Sequence, residues 1–343
     1  MATTPQSGVF HSLILLFALA LAACAPKTPT TTTVTAPAGP IASAEAGLLS
    51  ELAIEGPLEA RVSKSPASLV LFYGGEQRGS METCGCPHRP RGSLARVSSY
   101  VKASRAANPG VPSLLLNAGE WLTDAVGFQN MPMPQLEVMD RTMAEGLIMG
   151  GWDVLNVTPR DVTGLPGVRP SDVSKLPMVS ANIEGPHIER SRQFELGGRK
   201  YAVTGIAGVE ETLSDIAPYK IHPVGDALPF LQSLANDVDG IVLLAFDAAE
   251  DAKMFAMRVP KIIAVIDAAG HNQHVEPFYV KNAVWALSFV QTMRLGELRL
   301  TLSDGRVTGV DRHIDLDPEI PDDPILAAMQ QAARVEIDRL APQ

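Results

Sequence analysis

Short runs of Leu, Ile, Val and Phe recur through this chain, and several of them stop at a glycine-marked loop. Leu69-Val70-Leu71-Phe72-Tyr73 runs into Gly75-Glu76-Gln77-Arg78-Gly79. Leu114-Leu115-Leu116-Asn117 runs into Ala118-Gly119-Glu120, and Ile262 to Ile266 runs into Gly270-His271-Asn272-Gln273-His274. Stretches with helical spacing separate the runs. This alternation predicts an α/β architecture. Several runs are apolar at every position, as strands are when both faces of their sheet are covered. In such sheets ligands sit beyond the carboxyl ends of the strands. The chemistry of the chain is therefore to be read from its loops.

Strands are predicted at Ser68–Tyr73, Ser113–Asn117, Val154–Val157, Met178–Ala181, Arg199–Ile206, Gly240–Ala245 and Ile262–Ile266. Ala283–Phe289, Gly296–Leu302 and Val307–Ile314 follow and read as antiparallel. Helices are predicted at Leu94–Ala106, Met133–Met149, Ala227–Asn236, Ala248–Arg258 and Asp323–Leu340. The body is expected to be one domain over residues 65–341, a length that suits a single α/β unit.

The N-terminus reads as a secretion signal over residues 1–23. Val9 to Ala23 is almost wholly apolar, long enough for a signal and too short to span a bilayer comfortably. It closes in Leu21-Ala22-Ala23-Cys24, small residues before a cysteine, the pattern of a bacterial lipobox. Cleavage there leaves Cys24 as the new N-terminus with its thiol carrying diacylglycerol. Several acyl chains anchor stably, because each buried CH₂ adds roughly 0.8 kcal/mol. Met1 to Ala23 holds no Lys or Arg, so the only positive charge ahead of the apolar stretch is the amino terminus. Ala25 follows the cysteine, which by resemblance to Gram-negative lipoproteins implies sorting to the outer membrane. The expected location is the periplasmic face of a membrane, with the membrane as the partner of Cys24.

Residues 24–64 read as a tether. Ala25 to Pro40 is mostly Thr, Pro and Ala, a composition that buries no core. Ser43 to Ala53 reads as helical and outside the core. The net charge of −10 offers no basic footprint for nucleic acid. No later apolar run reaches the length of a membrane span.

Four further segments carry a resemblance. Arg91-Gly92-Ser93-Leu94-Ala95-Arg96 has the form of a helix start, and Trp152-Asp153-Val154-Leu155-Asn156-Val157 that of a strand before an Asn-His motif. Pro177-Met178-Val179-Ser180-Ala181-Asn182 and Asp239-Gly240-Ile241-Val242-Leu243-Leu244 complete an ordered set. Over residues 65–315 this set resembles the calcineurin-like metallophosphoesterases, and among them the N-terminal catalytic domain of the 5′-nucleotidase and UDP-sugar hydrolase family. The resemblance implies a four-layer α-β-β-α sandwich with mixed sheets. It also implies a two-metal site of carboxylate, histidine and amide ligands at the strand ends. The family's separate C-terminal substrate-binding domain has no room before Gln343.

The ligand positions that the resemblance implies are largely altered. The first Asp falls on Glu76, and the histidine after it on Arg78, which has no lone pair to give a metal. The bridging Asp falls on Glu120, one methylene longer. The Asn-His pair falls on Pro159-Arg160, with Asp161 next. The lone histidine falls on Phe246, with Asp247 adjacent. In the last motif His271 matches, Gln273 replaces the second histidine, and His274 comes one residue late. Glu76, Glu120, Asp247, His271 and His274 are thus the remaining metal candidates, and Arg160 and Asp161 stand at degenerate catalytic positions. Arg78 and Arg160 suit carboxylate or phosphate forks. They are expected either to pair with Glu76 and Glu120 or to hold an anion.

Cys84-Gly85-Cys86 adds a second feature. A subset of the family in exported bacterial proteins carries this triplet after the first metal loop. The two thiols can close a strained disulfide that staples a loop, or act in redox chemistry. They can also offer a half-site to a soft metal beside His88, and Arg89 and Arg91 are near enough in sequence to lower a thiolate pKa. Three readings follow. The first is a non-catalytic scaffold or anion-binding protein without cofactor, partnered by a periplasmic protein or a phosphate-bearing small molecule. The second is a divergent phosphoester hydrolase using Mn, Zn or Fe. The third is a thiol-redox protein.

Overall fold

The computed structural model describes residues 47–83, 88–123, 131–208, 216–268, 276–303 and 305–341. Cys24, Cys84, Cys86, His271 and His274 lie outside them.

The fully apolar runs form the centre of two sheets. In the first half of the chain the strands are β1 (Leu48–Ile54), β2 (Leu69–Gly74), β3 (Ser113–Asn117), β4 (Val154–Asn156), β5 (Met178–Val179), β6 (Ile183–Glu184) and β7 (Arg192–Leu196). In the second half they are β8 (Arg199–Ala207), β9 (Lys220–Ile221), β10 (Gly240–Phe246), β11 (Ile262–Ala268), β12 (Phe278–Val280), β13 (Ala283–Leu287), β14 (Arg294–Ser303) and β15 (Arg306–Asp315). The helices are α1 (Leu58–Arg61), α2 (Leu94–Ala107), α3 (Met133–Met149), α4 (Pro159–Gly164), α5 (Pro170–Val173), α6 (Leu228–Leu234), α7 (Ala249–Arg258) and α8 (Pro324–Arg339).

One sheet has seven strands in the order β1-β15-β14-β2-β3-β4-β5, and the other has six in the order β12-β13-β11-β10-β8-β7. Strands β2 to β5 run parallel, as do β8, β10, β11 and β13. Alternation along β2 shows the layering. Leu71 and Tyr73 face the other sheet, meeting residues such as Val203, Val242 and Ile266. Phe72 faces outward onto Tyr100 of α2 and the neighbouring α3 residues Met143 and Leu147. On the far side, Ile241, Leu243 and Val265 pack under Leu231 of α6 and Phe255 of α7. These three apolar layers make the expected α-β-β-α sandwich. Each layer removes apolar side chains from water, worth about 1.5–3 kcal/mol for each fully buried large side chain.

Two side-chain amides join the sheets at the carboxyl ends of their strands. Asn156 Nδ2 donates to Ala118 O at 2.9 Å and to Ile206 O at 3.0 Å. Asn182 Nδ2 donates to Ala207 O at 2.9 Å, and its Oδ1 accepts from Ala207 N at 3.0 Å. The first contact requires glycine opposite, since a Cβ on Gly205 would lie 1.9 Å from Asn156 Oδ1.

The structure corrects two expectations. Residues 43–53 were expected to be helical and outside the core, but Leu48–Ile54 is strand β1, parallel to β15. The tether reading up to Lys64 therefore fails from Gly47 onward. Beyond β1, Arg61 is fully buried, with Nη2 donating to Asp317 Oδ1 at 2.6 Å. Arg312 reaches Glu51 Oε2 at 2.7 Å from β15. The second correction concerns β13, which is antiparallel to β12 but parallel to β11. The expected antiparallel pairing holds for β14 with β15.

Candidate functional site

The loops after β2 and β3 run on side by side beyond the sheet. Glu76 N donates to Gly119 O at 2.8 Å, Arg78 N to Glu120 O at 2.9 Å and Gly79 N to Trp121 O at 3.0 Å. This ladder sets Glu76, Arg78 and Glu120 against one another. All three have left-handed backbone, with φ of +55°, +49° and +52°. Non-glycine residues rarely adopt that conformation, and it clusters at functional sites.

The side chains close the place where a metal would be expected. Arg78 Nε donates to Glu120 Oε2 at 2.8 Å, and Arg78 Nη2 to Glu76 Oε2 at 3.2 Å. Arg160, on the first turn of α4, brings its Nε to 3.4 Å from Glu120 Oε1. Glu76 is fully buried and Glu120 is 3% exposed, while Arg78 keeps 37% of its side-chain surface. Burial pushes the Glu120 carboxyl up, and the charges of Arg78 and Arg160 oppose that shift. Two carboxylates and two guanidinium groups thus face each other with no net charge.

Asp161 has a structural task. Its carboxylate accepts from the backbone N–H groups of Glu120 (3.1 Å), Trp121 (2.8 Å), Leu122 (3.0 Å) and Thr158 (3.0 Å), and from Thr158 Oγ1 (2.8 Å). It completes a capping box with Thr158 at the start of α4. Burial pushes this carboxyl up to about 7, and the donors around it work against that shift. With its lone pairs occupied, Asp161 holds the Glu120 loop onto α4 and is not a free ligand. The Thr158-x-x-Asp161 spacing is the sequence signal that identifies this role.

The other candidates are dispersed. Phe246 stands where the resemblance places the lone histidine, against the glutamate loop, since a Cβ on Gly119 would lie 3.1 Å from Phe246 Cβ. Asp247 is exposed, in left-handed backbone, and makes no ion pair among the described residues. Sequence reasoning missed a buried polar floor beneath the quartet. Asn117 Nδ2 donates to Gln77 Oε1 at 2.8 Å, and Gln77 Nε2 to Thr292 Oγ1 at 2.6 Å. Gln77 sits between the two charged residues of its loop, and its position at a strand end is the only cue the sequence offers.

A two-metal centre does not fit the described donors. Carboxylates that would bridge metal ions hold a guanidinium, which stays protonated and presents hydrogens, not lone pairs. Among the described residues no group of three His, Cys, Asp or Glu side chains is placed to hold a metal ion. Beside the cysteine triplet, Thr83 bridges Gly92. Arg89 is paired with Glu55 (2.7 Å) and Asp317 (2.6 Å), and Arg91 with Asp315 (2.8 Å).

Neither a protein-family profile nor a curated protein sequence matches the chain. Solved structures do. The sulfate thiohydrolase SoxB of Thermus thermophilus, in complex with glycerol, aligns with a TM-score of 0.64 at 13% identity, over 80% of this chain and 61% of that one. The NAD nucleotidase NadN of Haemophilus influenzae aligns at 0.64 and 15% identity, over 80% and 61%. A 5′-nucleotidase precursor of Thermus thermophilus aligns at 0.62 and 15% identity, over 80% and 60%. At these identities the likeness shows the fold. The chain spans about three fifths of the length of each of these proteins.

Proposed function

Starting from a chain with the calcineurin-like phosphoesterase fold of the 5′-nucleotidase type, we propose that it works without hydrolytic chemistry, as a lipid-anchored scaffold or anion-binding protein. Cys24 carries the lipid, and the body lies on the periplasmic face of the outer membrane. One observation carries the reading: the Arg78 guanidinium bonds to both Glu76 and Glu120. A metal-dependent phosphoesterase needs cations there to polarise the phosphoryl group and to generate hydroxide. A guanidinium can do the first in part and cannot do the second.

The same geometry sets how an anion would bind. Both arginine charges are already met by carboxylates, so a phosphate finds no net positive field in the cleft. Arg78 uses only part of its fork on Glu76 and Glu120, which leaves donors for a phosphate-bearing partner bound weakly. A protein partner covering the cleft meets no net field there, and hydrogen bonds from it to the paired groups would offset their desolvation.

The test is metal content and turnover. Purified protein incubated with Mn²⁺ and Zn²⁺ and then desalted is expected to retain no stoichiometric metal by elemental analysis, and to release no phosphate from 5′-AMP. Bound metal together with phosphate release overturns the reading in favour of a divergent hydrolase. Loss of radiolabelled palmitate from the Cys24→Ser protein checks the anchor.

A further inference from the structure

A cavity of about 320 Å³ opens between the two sheets at the end of the sandwich opposite the Glu76–Glu120 loops. It is bounded by residues at the starts of β8, β10 and β11 on one side and by the end of β14 and the start of β15 on the other. Arg199, Lys261 and Arg306 line it, with Asp239 as the one carboxylate among its described residues. Asp304, in the same turn, lies outside the described residues. Among the described residues Lys261 and Arg306 find no side-chain ion pair or hydrogen bond, and Arg199 makes one long contact, to Leu302 O at 3.4 Å. Asp239 is engaged by Lys200 N at 2.8 Å. The quartet at the other end is internally neutralised. Among its described residues, this end instead presents an excess of cations around a hollow.

The same end receives the chain from its N-terminal side. Gly47 O accepts from Gly309 N at 2.9 Å, and Leu48 stands opposite Gly309 at the start of β15. Val307, two residues earlier, lines the cavity. From Cys24 to Gly47 is 47 − 24 = 23 residues. At the roughly 3.1 Å per residue of an extended Pro-rich chain, 23 residues reach about 70 Å at most. A body of about 300 residues is roughly 50 Å across. The chain joins the body at the cavity end, so an anchor at Cys24 brings that end within reach of the membrane. Lys281, beside the lining residue Asn282, donates to Met257 O, and Met257 is 43% exposed. Cations with an exposed apolar side chain suit the headgroup region.

We propose that this cavity binds the phosphate of an anionic phospholipid headgroup and so orients the protein on its own membrane. Arginine forks recognise phosphate bidentately, and the negative potential of an anionic leaflet attracts each nearby Lys or Arg. The orientation argument rests on the reading that Cys24 is lipidated; the cationic cavity does not.

The test uses residues 24–343 carrying Cys24→Ser, the mature sequence without its lipid, sedimented with vesicles. Binding to phosphatidylglycerol vesicles and not to phosphatidylcholine vesicles is expected. Arg199→Gln, Lys261→Gln and Arg306→Gln together should weaken it about a hundredfold while the melting temperature stays within a few degrees of the parent. No binding to phosphatidylglycerol, equal binding to both lipids, or an unchanged affinity in the triple variant overturns the proposal. Stabilisation by inorganic phosphate without vesicle binding assigns the cavity to a free phosphate compound and overturns the lipid. Palmitate labelling of the unaltered chain is read separately. If labelling fails and vesicle binding persists, the anchor is wrong and the headgroup site stands.

Discussion

Replacing Arg78 by alanine isolates the interaction on which the site depends. Alanine keeps the backbone penalty of the left-handed conformation at φ +49°, so the change reports the lost charge. It leaves Glu76 and Glu120 buried around a vacated guanidinium position, with Arg160 still 3.4 Å from Glu120. Removing one partner of a buried pair costs about 3–5 kcal/mol. Arg78 is 37% exposed, and screening by solvent lowers the figure to about 2 kcal/mol. For a body of about 300 residues that corresponds to roughly 3 °C in melting temperature. The loss should depend on pH. Two facing carboxylates without their cation take up a proton more readily, so their folded pKa rises. Stability from such a group is complete below the unfolded value near 4 and is lost as pH rises through the raised folded value. Urea denaturation should therefore show a larger deficit for Arg78→Ala at pH 8 than at pH 5. Adding Glu120→Gln should recover more than half of the pH 8 loss. A variant that matches the parent at both pH values, or is further destabilised by Glu120→Gln, would refute the reasoning.

Other outcomes follow from the packing. Burial pushes the Asp140 carboxyl up to about 7, against hydrogen bonds from Thr123 N and Oγ1; its stabilising contribution is present near pH 4 and lost by pH 7, so Asp140→Asn should gain on the parent across that window in denaturant titrations. Glu297, fully buried, binds Arg299 and Arg312 at 2.7 Å each and accepts from Tyr100; Glu297→Ala removes the carboxylate that Arg299 pairs with and leaves Arg312 only Glu51, and should cost about 3–5 kcal/mol by urea denaturation. A chain begun at Ser65 lacks β1 and the buried Arg61 and should lose its cooperative melt by circular dichroism, whereas one begun at Ser43 should keep it.

Most of the sandwich is legible in the sequence because its strands are apolar on both faces. The runs behind β2, β3, β10 and β11 need no partner to be recognised, since their burial is written in consecutive Leu, Ile and Val. Strand β1 is not legible. Leu48-Leu49-Ser50-Glu51-Leu52-Ala53-Ile54 follows Ala and Glu residues that favour helix, and what makes it a strand is β15, far along the chain. Local propensity loses to a partner that local sequence does not contain. At the site, the complementary chemistry of Glu76, Glu120, Arg78 and Arg160 announces the ion pairs, because arginine prefers carboxylate forks. Asp161 is misplaced among catalytic positions by the resemblance, although Thr158-x-x-Asp161 is a helix-start signature. The polar floor of Gln77, Asn117 and Thr292 cannot be read, since its members come from three separate segments and carry no charge.

The pairing of β1 with β15 sets the order in which the sheet can close. As the chain is made N-terminus first, β1 emerges early and its neighbour in the sheet emerges nearly last. Until then Leu49, still 60% exposed in the finished fold, and Leu52 sit on an unzipped border open to any extended polypeptide. Such long-range closure is slow and prone to aggregation. Holdase chaperones should therefore meet this protein at its first strand, and closure of the sheet should lag behind the chain's emergence.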